Sequence, residues 1–172
     1  MSDTDCSVWA LRNPNGRLRK FDPAGTEVRN VNVFALDPLL TEALRIRLDP
    51  FDDSLWVTGE RRIVHLDADA ASVVAAFDAP GEIRRFRIGM DQKLWVLGKR
   101  KLWRFNRRGN MLEERALDTL LQGEARHFVV DELRETIWVA GDTQVAKMSS
   151  IAPEPPVIVA QIPEGTAGFA LD

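Results

Sequence analysis

The chain has 172 residues, with 23 basic and 26 acidic side chains, two histidines and one cysteine. Its net charge of −3 excludes bulk attraction to nucleic acid or anionic lipid, and its one cysteine excludes an internal disulfide framework. No apolar run approaches the ~20 residues that cross a bilayer as a helix. An apolar fraction of 45% over this length is enough for one well-cored domain. The opening Met1-Ser2-Asp3-Thr4-Asp5-Cys6 carries no basic segment leading into an apolar core. No secretory leader is therefore expected, and the cytoplasm is the favoured compartment unless the chain is a piece of something larger.

The first tryptophan strand is Ser7-Val8-Trp9-Ala10-Leu11, followed by a turn at Asn13-Pro14-Asn15-Gly16. Leu18–Asp22 reads as the next strand, Pro23-Ala24-Gly25 as a turn, and Val28–Val33 alternates with period two as a half-buried strand. The pattern then repeats. Leu44–Asp49 alternates strictly and leads through Pro50-Phe51-Asp52-Asp53 to Ser54-Leu55-Trp56-Val57-Thr58-Gly59, then to Arg62–Asp67 and Ser72–Phe77. A third round runs through Arg85–Asp91, Lys93-Leu94-Trp95-Val96-Leu97-Gly98, Lys101–Asn106 and Met111–Arg115. A fourth runs through Arg126–Asp131, Thr136-Ile137-Trp138-Val139-Ala140-Gly141, Gln144–Met148 and Pro156–Ile162.

Tryptophans 9, 56, 95 and 138 are thus separated by 47, 39 and 43 residues. A period near 40–45 residues with four strands per period is that of β-propeller blades, as in WD40-like architectures. The fold class expected is all-β, with blades at 7–33, 44–78, 84–117 and 125–162 in a single domain spanning 1–172. The last residues, Gly168-Phe169-Ala170-Leu171-Asp172, match a first strand and are expected to complete the first blade beside Trp9. The alternative is a segment of a larger propeller. A second period overlies the first, because Ala35-Leu36-Asp37-Pro38-Leu39-Leu40 returns 81 residues later as Ala116-Leu117-Asp118-Thr119-Leu120-Leu121. The chain therefore reads as two copies of a two-blade unit, each with an insertion forming one helical turn capped by Asp37 or Asp118.

The four repeating tryptophans are read as wedge-fillers between blades. Trp103 falls outside the repeat and is expected to be partly exposed, either in an ordinary peripheral contact or as an interface anchor. Leu39, Leu40, Leu120 and Leu121 either pack onto the blade tops or form lips for a partner. Asp49, Asp91, Asp131 and Asp172 close the first strands as turn caps. Counting four residues back from each gives Arg45, Arg87, His127 and Gly168, a ring at one height around a channel. The turns after the tryptophan strands add Arg61, Arg62, Lys99, Arg100 and Lys101. Together these make a basic mouth suited to a small anionic ligand or an acidic protein partner, unless Asp37, Glu42, Asp78, Glu82, Asp118 and Glu124 neutralise it. The other end, with Asp49, Asp52, Asp53, Asp91, Asp131, Glu132 and Glu135, is expected to be acidic. Two histidines and one cysteine at no ligand spacing imply neither metal nor cofactor, and no nucleophile or phosphate-loop motif is present.

A first strand ending in Asp, then Leu-Trp-Val-x-Gly, then Arg62-Ile63-Val64-His65-Leu66-Asp67, resembles the NHL-repeat and streptogramin-lyase-like propellers. So does Gly16-Arg17-Leu18-Arg19-Lys20-Phe21-Asp22-Pro23-Ala24-Gly25, and the sensor propellers of two-component regulators are similar. The resemblance covers Val8 to Asp172 and implies the fold rather than an activity. The function expected is a non-enzymatic binding module with a protein or small anionic partner, and neither nucleic acid nor membrane. The alternatives are a lyase or hydrolase built on the channel, a sensor segment of a larger protein, and assembly as a homodimer.

Overall fold

Short alternating segments separated by Asp, Asn, Gly and Pro turns close into hairpins, and the computed structural model of the chain is built almost wholly of them. It describes residues 6–13, 15–118, 121, 123–152 and 157–161. Three strands open the chain, β1 (Val8–Arg12), β2 (Arg17–Phe21) and β3 (Glu27–Asn32), followed by one helical turn, α1 (Val33–Leu36). Four follow as β4 (Arg45–Leu48), β5 (Leu55–Thr58), β6 (Arg62–Leu66) and β7 (Val73–Asp78). Four more are β8 (Arg85–Ile88), β9 (Leu94–Leu97), β10 (Lys101–Phe105) and β11 (Met111–Ala116). The last are β12 (His127–Asp131), β13 (Thr136–Ala140), β14 (Gln144–Ser149) and β15 (Val157–Gln161).

The chain is all-β. Each run of strands forms its own antiparallel sheet in sequence order, four-stranded in the last three repeats and three-stranded, β1-β2-β3, in the first. These are the blade-like sheets that the tryptophan period implies. The closing strand expected at 168–172 lies outside the described residues.

Two compact units divide the chain. One comprises the described residues up to Gly81 together with Arg107–Gly109; the other comprises Glu82–Asn106 and the described residues from Asn110 onward. The first unit centres on Leu18, Leu40, Leu55, Val57, Val64 and Leu66, drawn from both of its sheets. The second centres on Trp95, Leu97, Leu102, Phe128, Ile137 and Val139, likewise from both of its sheets. The tryptophan strands β5 and β9 are buried along their whole length, which is why they read as unbroken apolar runs.

Side-chain caps fix the turns. Asp22 Oδ1 accepts from the Thr26 amide at 2.8 Å, Asp67 Oδ1 from Ala71 at 2.7 Å and Asn106 Oδ1 from Asn110 at 3.0 Å. The fourth repeat has no Asp there; Ser149 Oγ accepts from the Ile151 and Ala152 amides instead. The outermost strand of each sheet carries a bulge. It falls at Lys20/Phe21, His65/Leu66 and Arg104/Phe105 of the inner partner in the first three sheets, and at Val145/Ala146 in the fourth.

The insertion differs from expectation. Its helical turn is α1, capped by Asn32 Oδ1 accepting from the Phe34 amide, and Asp37 ends that turn instead of starting one. The Asp37 carboxylate caps a tighter turn through the Leu39 amide at 2.9 Å. Pro38 follows directly and cannot donate to a continuing helix.

Candidate functional site

The turns after the tryptophan strands hold the basic residues predicted for a binding mouth, and the structure gives most of them partners. Arg62 Nε lies 2.9 Å from Asp37 Oδ2 and its Nη1 3.4 Å from Asp78. Arg61 donates to the Pro80 carbonyl at 3.3 Å. Lys99 pairs with Glu82 at 3.1 Å, and Arg84 joins Glu82 to Glu124. Lys101 pairs with Glu114. Arg100 is exposed, and its carbonyl accepts from the Leu117 amide. The neighbouring carboxylates that could neutralise the mouth therefore do so at Asp37, Asp78, Glu82 and Glu124. Leu40 and Leu121 are buried in their units' cores, and Leu39 is exposed. With Arg61 and Arg62, Leu39 and Leu40 line a pocket of about 140 Å³. Leu120 and Gly168 lie outside the described residues.

Two readings change with the strand register. Arg45 stands opposite Thr58 and His127 opposite Ala140, each two residues beyond the tryptophan on the facing strand. In the third sheet that place belongs to Arg85, opposite Leu97, because Arg87 faces Trp95 itself. Counting back from Asp91 slips by two, since Gly89 is the register equivalent of Asp49 and Asp131. A Cβ on Gly89 would meet Asp91 Oδ1 at 2.8 Å and Glu132 Oε1 at 2.6 Å, so these carboxylates occupy the volume a side chain there would need. Trp103 is corrected from exposed to buried, at 3%. Its ring covers Gly98, where a Cβ would lie 2.5 Å from it, and its Nε1–H donates to Glu114 at 2.9 Å.

The register also discloses a position that the sequence reading passed over. The residue opposite each repeating tryptophan is Lys20, His65, Arg104 or Lys147. Lys20, Arg104 and Lys147 hold their charge 5.9, 5.0 and 5.5 Å from the ring centroids of Trp9, Trp95 and Trp138. His65 instead stacks on Trp56 with centroids 4.0 Å apart and planes 4° from parallel.

Around His65, the first unit builds a polar network that runs from the buried Asp49 and His65 to the exposed Asp52. Asp49 is fully buried; its Oδ2 accepts from Trp56 Nε1 at 3.1 Å and lies 2.9 Å from Arg107 Nη2. Arg107 also pairs with Asp52. The Ser54 hydroxyl lies 2.5 Å from Asp52 Oδ1 and 2.7 Å from His65 Nε2. Burial acts to raise the Asp52 pKa, but the Ser54 hydroxyl and amide and the Arg107 charge outweigh it and hold the group below 3.8. Asp52 is thus ionised and takes the one proton of Ser54, so His65 must donate from Nε2 to the serine oxygen. Its Nδ1 is left a buried acceptor without a partner among the described residues.

This order decides the chemistry. In a nucleophilic relay the histidine stands between serine and carboxylate and accepts the hydroxyl proton. Here the serine stands between, its proton is committed to Asp52, and the imidazole proton points at the would-be nucleophile. Asp49, Asp52 and His65 also converge within 4.8 Å, a spacing that suits metal ligands. Arg107 stands against both carboxylates and Ser54 holds the imidazole nitrogen, so one of the two negative charges is balanced within the cluster.

The second unit presents a different surface. Leu133, at the β12–β13 turn, is 98% exposed, and Met90 and Ile151 are 74% and 68% exposed. A pocket of about 210 Å³ lies among Met90, Val130 and Ile151, with Asp91, Glu132 and Glu135 in its wall. A shallower hollow of about 530 Å³ continues over Met90, Val129 and Leu133. Asp91 pairs with Arg104 and Asp131 with Arg134. Among the described residues, neither Glu132 nor Glu135 forms an ion pair. Compared with protein-family models and with curated proteins, the chain matches none.

Proposed function

We propose that the chain is a non-catalytic protein-binding module that docks its partner on the second unit, around Met90, Leu133 and Ile151. The observation that carries this reading is three large apolar side chains left in solvent beside Glu132 and Glu135, two carboxylates that meet no cation among the described residues. Exposed apolar groups rimmed by polar residues are the usual composition of an interaction site. The partner segment that complements it pairs apolar residues with Lys or Arg. The non-catalytic part rests on the arrangement at Ser54 and His65, which opposes nucleophile activation. An anionic ligand or acidic partner at the basic turns is the weaker reading, because Arg62 and Lys99 already meet carboxylates and Arg61 a backbone carbonyl.

A random peptide library displayed on phage and panned against the whole chain tests the proposal, with Leu133→Asp as the counter-target. Peptides enriched in apolar and basic residues that fail to bind Leu133→Asp support it. Peptides that bind both proteins equally, or a library that yields acidic sequences, overturn it.

A further inference from the structure

We infer that the pocket bounded by Met90, Val130 and Ile151 receives one long basic side chain, lysine or arginine, from the docked partner; this rests on the function proposed above. The argument begins with an unmet hydrogen-bonding demand. Glu132 lines the pocket, and its Oε1 accepts from the Met90 amide. Its Oε2 is buried and has no hydrogen-bond partner among the described residues. A buried acceptor without a donor is costly, more so when it carries charge; a turn of the Glu132 side chain toward the pocket brings the oxygen to an arriving donor, which recovers that cost.

Charge selects the donor. Glu135 joins Glu132 in the wall, and no ion pair among the described residues reaches either. A hydroxyl or amide would satisfy the lone pair and leave both charges uncompensated; an ammonium or guanidinium does both. Shape selects its length. Met90, Val130 and Ile151 offer an apolar wall for an alkyl stem that ends in a polar head, as lysine and arginine require. Trp95 also borders the pocket, but Arg104 already lies 5.0 Å from its ring. The carboxylates, not the indole, receive the incoming head.

The test uses the full chain and NMR resonances of the Ile151 methyl and Trp95 indole. Nα-acetyl-lysine methylamide and Nα-acetyl-arginine methylamide are titrated against Nα-acetyl-norleucine methylamide, which keeps a stem without a charge. Saturable shifts are expected with one or both basic probes, with norleucine weaker by roughly tenfold or more, the size of one charged hydrogen bond. Glu132→Gln, which keeps an acceptor for Met90, and the exposed Glu135→Gln should each weaken the basic probe. Equal shifts for norleucine, or binding unchanged in both variants, would overturn the pocket assignment. Leu133→Asp separates the two proposals, because Leu133 does not line this pocket. If peptides lose binding in Leu133→Asp while no basic probe binds, the module stands and the side-chain pocket fails. If the probe binds but peptides ignore Leu133→Asp, the docking surface fails instead.

Discussion

A neutral imidazole in a place where three sister sheets put a cation has consequences for stability. Burial holds the His65 pKa below 6.5, and Arg107 adds to that effect against the opposing pull of Asp52 and Asp49. A histidine that protonates more readily unfolded than folded lends stability that is complete above the unfolded value. That stability is lost as pH falls from about 6.5 through the lowered folded value. The urea midpoint should therefore drop between about pH 7.5 and about pH 5.5. His65→Phe, which keeps the stack on Trp56 and cannot titrate, should shrink that drop while lowering the midpoint at both pH values through loss of the Ser54 bond. A slope as steep in His65→Phe as in the parent would remove His65 as its source. Arg107 has the larger static effect, since Asp49 is fully buried against it. Arg107→Ala should cost about 3 kcal/mol in urea denaturation, with part returned by Arg107→Lys. The repeating tryptophans that anchor this network were legible, because a bulky residue at a fixed period survives every change of turn length. His65, Ser54 and Arg107 were not. The first two become neighbours only once the Trp56–His65 register is drawn, and Arg107 comes from a turn more than fifty residues away.

At the scale of strands and turns, what was readable is what local chemistry decides. Alternation located the strands, and the Asp, Asn, Gly and Pro clusters located the turns. Three readings failed where a non-local contact wins. Trp103 looked peripheral because its place in the repeat is otherwise Arg19, Val64 and Ala146, yet Gly98 leaves the ring room to lie flat over the preceding turn. Arg87 was taken for Arg45's counterpart because Asp91 mimics a first-strand ending that Gly89 occupies. The helical turn starts five residues before the place that Asp37 suggests, because Asp37 caps equally well the turn that follows. The bulges were invisible in sequence, and they give the outer strands a purpose beyond pairing. In the first three sheets the extra residue is Val28, Val74 or Leu112, each about half exposed. A bulge twists an edge strand away from the flat geometry that recruits another strand. Deleting Val74 keeps the register on both sides, since Leu66 already faces Val73 and His65 faces Ala75. The deletion should leave the circular dichroism of a β protein intact and raise light scattering on concentration or mild heating. Scattering equal to that of the parent would mean that the outer edge is protected by something else.

For the molecule as a whole, the second period is the stronger statement. The insertion recurs after 81 residues, and the structure divides at Gly81/Glu82, with one apolar cluster and one pair of sheets on each side. The two units share a plan but differ in surface. The second leaves Met90, Leu133 and Ile151 in solvent beside Glu132 and Glu135, which form no ion pair among the described residues, and that difference governs self-association. At neutral pH the net charge of −3 makes copies repel, and the carboxylates beside the patch add a local repulsion between identical surfaces. Near the pI of about 5.5 the net repulsion between copies fades while the apolar contact remains. Sedimentation velocity should therefore give the 19.4 kDa mass of one chain at about pH 7.5 and a rising mass toward about pH 5.5. Leu133→Asp should suppress that rise, and circular dichroism at each pH separates association from the loss of stability expected of His65. A stable dimer at neutral pH that persists in Leu133→Asp would place the self-contact on another surface. A neutral-pH dimer abolished by Leu133→Asp would make a second copy of this chain the occupant of the patch and remove the need for a basic partner.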